Sequence, residues 1–341
     1  MLKTVPVEEA VGQVIPHDIT EIIKDVKKTT AFKKGHIIAE SDIEHLKRLG
    51  KDHIYVLSLA KNEIHENEAA TLLAAGLAGP NIVYSKNPEE GKIVLKAGCS
   101  GLLKVDRDRL YDFNVLGDVI CSTLHDNTPV QQNEIVAATR LIPLVCDRQV
   151  VEKALSALSG TTPVINVVPL RKYRIGLVIT GNEVFYNRIE DRFEEVLREK
   201  VKALGSELTV VRRAPDDKKI IAEEIHRCID AGAELIVTSG GMSVDPDDVT
   251  REGIIGAGAV DVTYGTPVLP GAMLLCGFIG PVPVVGIPAC GMYHKITVFD
   301  LILPRILIGE KIGRKQLAEL GHGGLCRNCP TCRYPICNFG K

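Results

Sequence analysis

From Arg174 onward, short apolar runs alternate with longer amphipathic stretches, and this rhythm restricts the chain to few folds. "RIGLVIT" reads as a buried strand ending in Thr180-Gly181-Asn182-Glu183. "EDRFEEVLREKVKALG" follows as a helix, with Phe193, Val196, Leu197, Val201 and Leu204 on one stripe and Gly205 as its stop. "ELTVVRRA" is the next strand. Pro215-Asp216-Asp217 then opens a helix that buries Ile221, Ile225, Cys228 and Ile229 and stops at Gly232. "AELIVTS" is a third strand, and it breaks into two glycines and three aspartates, "GGMSVDPDDVT". "MLLCGFIG" and "PVPVVGIP" are further strands, and a last helix near "YHKITVFDLILPRILIG" holds Pro304, a residue placed to kink it. Strands alternating with helices of about ten residues or more define an α/β class, a mostly parallel sheet covered on both faces.

Upstream the pattern is less regular. Residues 1–60 carry strand-like pieces, "HIIAE" and "HIYVL", around a helix, "SDIEHLKRLG". That helix has Ser41 or Asp42 as N-cap, Ile43, Leu46 and Leu49 on one face, and Gly50 as stop. Residues 61–137 begin with a helix, "NEAATLLAAGLAG", and continue with strand-and-turn material such as "GKIVLKAGCSGLLKVD". "VVEKALSAL" is a helix leading through "SGTTPVINVVPLRKY" into the regular region. The expected organisation is an N-terminal domain of residues 1–60 with 138–171, an inserted α+β domain of residues 61–137, an α/β domain of residues 172–312, and a Cys-rich tail of residues 313–341.

Composition narrows the function. At 341 residues and 45% hydrophobic, the chain can bury more than one core. Its 41 Lys+Arg against 43 Asp+Glu argue against a partner held by bulk charge, so neither nucleic acid nor a membrane surface is expected. Aromatics are 4% and Trp is absent, which removes stacking platforms for single strands. The start, "MLKTVPVEEAVGQVIPHD", lacks the apolar core of a signal peptide. The longest apolar stretch, residues 282–308, is broken by His294, Lys295, Asp300 and Arg305. A cytoplasmic protein is expected.

In parallel α/β sheets, ligands bind outside the carboxyl ends of the strands. Three such ends are suited to it: Thr180-Gly181-Asn182-Glu183, Thr238-Ser239-Gly240-Gly241, and Gly286-Ile287-Pro288-Ala289-Cys290. Glycines expose backbone N–H groups to an anion, and a following helix N-terminus adds a favourable dipole. Asp216/Asp217 and Asp245/Asp248 border these loops, where carboxylates suit Mg²⁺ or a hydrogen-bonding heterocycle. Each loop alone also reads as an ordinary turn, with Asp247 or Asp248 capping one helix and Asp216 or Asp217 another. Three loops on one edge point to a site.

"TSGGMSVDPDDVT", "APDDKKIIAEEI", "ITGNEV" and "VVGIPAC" resemble the molybdopterin-binding domain of molybdenum-cofactor biosynthesis proteins, the adenylyltransferases and the molybdenum insertases. The likeness covers about residues 172–310. It implies a three-layer α/β fold that holds the phosphate and ring of the pterin-dithiolene on its glycine loops. The positions it marks are Thr180, Gly181 and Glu183 (with Asn182 between them), then Ser239, Gly240, Gly241 and Asp248, with Asp245 at the border. It also marks Asp217 or its neighbour Asp216, and Gly286 and Pro288. Catalytic roles for Asp217 and Asp248, toward Mg-ATP and the pterin, are what the adenylyltransferase likeness implies.

"VPVEEAVGQVIPHDIT" and "FKKGHIIAESDIEHLKRLGKDHIYV" are similar to the opening of the insertase branch. Departures are specific. The "MDGYA" signature is absent, the "KPGKP" loop is "LPGAM" (269–273), and "GLPGNP" is "GIPACG", which puts Cys290 where Asn is usual, beside the implied dithiolene. Residues 313–341 stand where the insertases carry a further β-domain. Lysines suit molybdate, so their loss weighs against metal insertion. The implied role is cofactor biosynthesis, insertion or delivery for molybdenum or tungsten. Its partners would be molybdopterin or the adenylylated form, other biosynthesis proteins or a molybdoenzyme, and a second copy in a homodimer. Catalysis, if present, would be molybdenumtransferase- or adenylyltransferase-like. Two alternatives stand beside it. One is a non-catalytic carrier or sensor. The other is a Mg-dependent nucleotide pyrophosphatase, because "GGMSVDPDD" is also similar to the N-terminal domain of the competence/damage-inducible family, which implies cleavage of ADP-ribose.

Of ten cysteines, Cys99, Cys121, Cys146, Cys228, Cys276 and Cys290 are scattered, and all but Cys290 read as core or near-core residues. Cys326, Cys329, Cys332 and Cys337 form C-x2-C-x2-C-x4-C near His322. A metal would order thiols this close: an iron–sulfur cluster or zinc, the alternative being redox-active or unliganded thiols. Arg327, Arg333 and Lys341 would offset an anionic centre, or simply face solvent.

Overall fold

The computed structural model describes residues 2–23, 27–57, 60–243, 245–246 and 248–341, so the Asp247 cap lies outside the described residues. The chain divides into two compact units. One comprises Met1–Cys99, Leu103–Asp126 and Val130–Val167; the other comprises Ser100–Leu102, Asn127–Pro129 and Val168–Lys341.

The first unit is built on small antiparallel pairings. Leu2–Pro6 pairs with His53–Leu57, and Ile19–Ile23 pairs with Lys27–Phe32. The helix Ile43–Arg48 buries Leu46, and Gly50 beyond it takes a positive φ of 74°, the left-handed stop expected of a glycine there. A four-stranded antiparallel sheet orders Ile82–Tyr84, Lys92–Ala97, Ile135–Leu141 and Val119–Thr123. The helix Glu66–Leu77 buries Ala69, Leu73 and Leu77 in the core that contains Leu95, Ala137 and Val119 of that sheet. Its alanines, of which Ala69, Ala70 and Ala74 are fully buried, allow a close approach.

In the second unit the alternation seen in the sequence becomes one six-stranded sheet. Its strands are β1 (Arg174–Thr180), β2 (Glu207–Ala214), β3 (Leu235–Ser239), β4 (Val260–Tyr264), β5 (Leu275–Ile279) and β6 (Val282–Ile287). They lie in the order β2-β1-β3-β6-β5-β4. β2, β1, β3 and β6 are parallel, whereas β5 and β4 complete the sheet in antiparallel register. The helices are α1 (Phe193–Ala203), α2 (Lys218–Asp230), α3 (Thr250–Gly256), α4 (Val298–Leu307) and α5 (Arg314–Glu319).

Strand periodicity decides the layers. Ile175, Leu177 and Ile179 of β1 join Leu197 and Val201 of α1, Ile302 and Ile306 of α4, and Leu317 of α5 in one core. Val178, from the alternate set, joins Ile221, Ile225 and Cys228 of α2 and Ile254 of α3 in another. Alternate side chains thus feed opposite faces, and the sheet lies between two helical layers. This is the three-layer, mostly parallel α/β architecture expected from the sequence. β4 was not expected. It is short, its register with β5 shifts between Val260 and Thr263, and Asp261 sits at φ 54°, so it lacks clean alternation. Among the described residues, no helix is long and apolar enough to cross a membrane.

Candidate functional site

Register places the three glycine-bearing ends side by side. Val178 of β1 pairs with Thr238 of β3, Thr238 pairs with Gly286 of β6, and Gly286 pairs with Leu275 of β5. One rim therefore carries the loops after β1, β3 and β6, and the 265–274 loop that enters β5.

Thr180 stitches the first two ends together. Its buried hydroxyl donates to the Ser239 carbonyl at 2.8 Å and, its one hydrogen spent, accepts from the Thr250 hydroxyl at 2.7 Å. The central glycines follow from this packing. Gly240 has φ 86°, and a Cβ there would lie 2.6 Å from the Thr180 carbonyl oxygen. Gly241 has φ 53°, and its Cβ would lie 2.3 Å from the Thr250 hydroxyl. Only glycine combines that conformation with that approach. Gly286 is filled from outside, since a Cβ would meet the Met242 methyl at 2.8 Å. Met242 is buried and its carbonyl accepts from the Tyr264 hydroxyl at 2.7 Å, so the loop after β3 is tied to β4.

The acidic residues fall into distinct roles. Asp216 accepts from the Asn182 N–H at 2.9 Å while the Asn182 side chain accepts from the Asp216 N–H at 3.3 Å, a reciprocal clamp between the loops after β1 and β2. Asp217 is exposed and caps α2, accepting from the N–H groups of Lys219 and Ile220 at 2.8 and 3.2 Å. Asp248 accepts from the Ser243 N–H at 3.0 Å, and its own N–H donates to the Asp245 carbonyl at 3.0 Å, which folds the central loop on itself. Asp245 is exposed. Glu183 is exposed, and its carboxylate stands where a Cβ on Gly181 would meet it at 2.7 Å.

Beyond β6, Pro288 leads into a single 3₁₀ turn, Ala289–Met292. Cys290 is half-buried on that turn, its carbonyl accepts from the Tyr293 and His294 N–H groups, and burial pushes its thiol pKa up. A cavity of about 210 Å³ lies at the opposite, N-terminal end of the parallel strands, lined by Cys276, Phe278, Val284, Ile306 and Lys311 among others; no residue singled out above for the rim lines it.

The polar atoms left over say most about what the rim accommodates. Among the described residues, four buried side-chain N or O atoms have no hydrogen-bond partner: His17 Nδ1, Thr238 Oγ1, Ser239 Oγ and Thr266 Oγ1. Three of the four are hydroxyls of the second unit, two at the end of β3 and one on the loop entering β5. An unsatisfied buried hydroxyl costs roughly 1–3 kcal/mol, so such a group is retained where a ligand or an ordered water completes it. Thr238 and Ser239, consecutive on β3, face opposite sides of the sheet, and the Ser239 hydroxyl lies next to the central glycine loop and its backbone donors. Thr266 and Met242 were not legible as rim residues in the sequence; the buried, unpartnered hydroxyl of Thr266 is visible only once the loop is folded.

The four tail thiols are not gathered. Cys326 and Cys337 are half-buried against the core, whereas Cys329 and Cys332 are exposed. Among the described residues, no group of three or more His, Cys, Asp or Glu side chains is placed to hold a metal ion. The rim carboxylates Asp216, Asp217 and Asp248 each accept main-chain N–H groups through one oxygen, and among the described residues they form no metal-holding group.

Residues 176–307 match the family described as "Probable molybdopterin binding domain", and the second unit carries a domain of that family. Residues 4–58 match a family described as a domain of unknown function. Among curated proteins, the "CinA-like protein" of Mycobacterium tuberculosis (strain ATCC 25177 / H37Ra) is 37% identical over 79 residues, 23% of this chain and 18% of the relative. The "CinA-like protein" of Mycobacterium leprae is 35% identical over 79 residues, again 23% of this chain and 18% of the relative. The chain thus matches less than a fifth of the length of these relatives. Among solved structures, the protein CinA from Thermoplasma acidophilum aligns at TM-score 0.36 and 15% identity, over 40% of this chain and 98% of that one. The molybdopterin biosynthesis enzyme MoaB from Thermus thermophilus aligns at TM-score 0.35 and 19% identity, with the same coverage.

Proposed function

We propose that the second unit binds the anionic pterin of the molybdenum or tungsten cofactor at the rim formed by the loops after β1, β3 and β6, and that the chain acts in biosynthesis, insertion or delivery of that cofactor. The observation that carries this reading is the buried, unpartnered hydroxyl of Ser239 at the strand end leading into Gly240-Gly241. On this reading Ser239 and the N–H groups around Gly240 and Gly241 hold the phosphate, and the half-buried Asp216 and Asp248 orient the loops that close on the ring.

A carrier fits better than a transferase. The 269–273 loop reads "LPGAM" without a lysine to attract molybdate, and Asp217 caps α2. Titrating the purified chain with molybdopterin and with its adenylylated form tests the reading. Saturable binding at micromolar concentration is expected, without turnover when molybdate and Mg-ATP follow. No binding of either form would end it.

The likeness to CinA-like proteins favours one rival, a metal-dependent nucleotide pyrophosphatase. Release of AMP from ADP-ribose in the presence of Mg²⁺ would establish that activity; a flat assay removes it.

A further inference from the structure

The function proposed above leaves the tail unused. Four of the ten cysteines fall within residues 326–337, and no Asp or Glu stands between Gly321 and Lys341, while Arg327, Arg333 and Lys341 are all cationic. From the geometry of this segment we infer that residues 323–340 bind a thiophilic metal centre, zinc or an iron–sulfur cluster, through Cys326, Cys329, Cys332 and Cys337.

The segment is a loop pinned at both ends. The Gly340 N–H donates to the Gly323 carbonyl at 3.0 Å, which closes the loop on itself. Gly323 has φ 83°, and a Cβ there would lie 2.3 Å from the Lys341 carbonyl oxygen, so the two ends meet as closely as backbone allows. At the near end, Leu269 N–H donates to the Gly324 carbonyl and Cys326 N–H to the Leu269 carbonyl, both at 2.8 Å. Phe339 is buried in the core at the far end, and Cys326 and Cys337 pack against that core. Two thiols are therefore anchored, one near each pin.

Between the pins lies the opposite situation. Arg327–Pro335 form neither helix nor strand, and Cys329 and Cys332 are exposed. The main-chain N–H groups of Arg327, Cys329, Cys332 and Arg333 donate to no group among the described residues. A stretch with solvent-facing N–H groups, two exposed thiols and a cationic surround gains little as free chain. It gains much once a metal turns thiols into thiolates, because N–H groups and guanidinium ions then face anionic sulfur. A shared metal would bring the exposed Cys329 and Cys332 onto the two anchored sulfurs. On taking up zinc or a preformed cluster, each of the four thiols releases one proton to solvent and no electron is transferred.

The pins fix where the centre sits. Leu269 belongs to the loop entering β5, whose first residue, Leu275, pairs with Gly286 of the rim. The metal would lie on the same edge of the sheet as the glycine loops. The inference itself uses only the tail and does not depend on pterin binding.

The experiment is metal, sulfide and absorption analysis of the full chain purified without oxygen. We expect either about one zinc per chain, or iron and acid-labile sulfide in equal amounts with absorption near roughly 400 nm. The Cys329→Ser/Cys332→Ser double variant is expected to lose that metal while keeping its circular dichroism, and Cys99→Ser, in the first unit, is expected to keep it. Full metal in the double variant overturns the inference. So does a wild-type chain that is isolated bare and takes up neither zinc nor iron with sulfide. Failure of the pterin titration would leave these readouts unchanged, so the two ideas fall separately.

Discussion

At the scale of single residues, Ser239 and Gly240 are neighbours with opposite expected responses. Ser239 is buried with its hydroxyl unpartnered, so Ser239→Ala removes an unmet cost and should leave stability unchanged or slightly raised. If that hydroxyl serves the ligand, pterin affinity should fall about tenfold, the worth of one hydrogen bond to a charged group. Thermal melts with a binding titration on the same variant check both; a lower melting temperature with intact affinity would make Ser239 a structural residue. Gly240→Ala is the counterpart. It forces a side chain onto φ 86° and drives a Cβ to 2.6 Å from the Thr180 carbonyl. A loss of about 2 kcal/mol or more is expected in urea denaturation, with the left-handed conformation supplying about half and the clash the rest. The glycines were legible in the sequence as bare backbone, but not what approaches them. That Thr180, Thr250 and Met242 press on Gly240, Gly241 and Gly286 depends on strand order, which no local pattern encodes.

Among the elements, α2 offers the sharpest test of role. Asp217 takes N–H groups from Lys219 and Ile220, and α2 supplies Ile221, Ile225 and Cys228 to one face of the sheet. Asp217→Ala should therefore cost about 1 kcal/mol, and Asp217→Ser, which can also cap, should recover most of it. Denaturation curves for the two variants decide this. If Asp217→Ser restores stability but not pterin affinity, Asp217 acts on the ligand as well as on the helix. The helices and the parallel strands were legible because their periods are clean and their stops are glycines, as at Gly205 and Gly232, both with positive φ. β4 was not, since a half-exposed strand with a register shift has no period to read. The antiparallel run β6-β5-β4 therefore came from the structure alone, and with it the loop that carries Thr266 and receives the tail.

For the whole molecule, the ten thiols form a graded series that reports on both cores and on the tail at once. Burial pushes the Cys121 and Cys276 thiols up to about 12, and Cys228 and Cys146 to about 11. Alkylation needs thiolate, and at pH 8 a thiol of pKa 12 supplies on the order of one part in ten thousand of it, beside steric exclusion. Raising the pH toward 11 brings such a thiol to roughly a tenth thiolate, so at that pH steric exclusion by the packed core is what still protects it. Cys329 and Cys332 are exposed and open to reagent. Brief treatment of the metal-free native chain with iodoacetamide, read by peptide mass spectrometry, should therefore modify Cys329 and Cys332 first, Cys326 and Cys337 more slowly, and Cys121, Cys228 and Cys276 only after denaturation. Labelling of Cys121 as fast as Cys329 would mean that the first unit's core opens readily. Labelling of Cys276 at that rate would say the same of the core between the sheet and α4. In chain purified without oxygen, protection of all four tail thiols together, lifted by a chelator, is what one shared metal predicts, whereas independent rates for the four would mean they act as separate thiols.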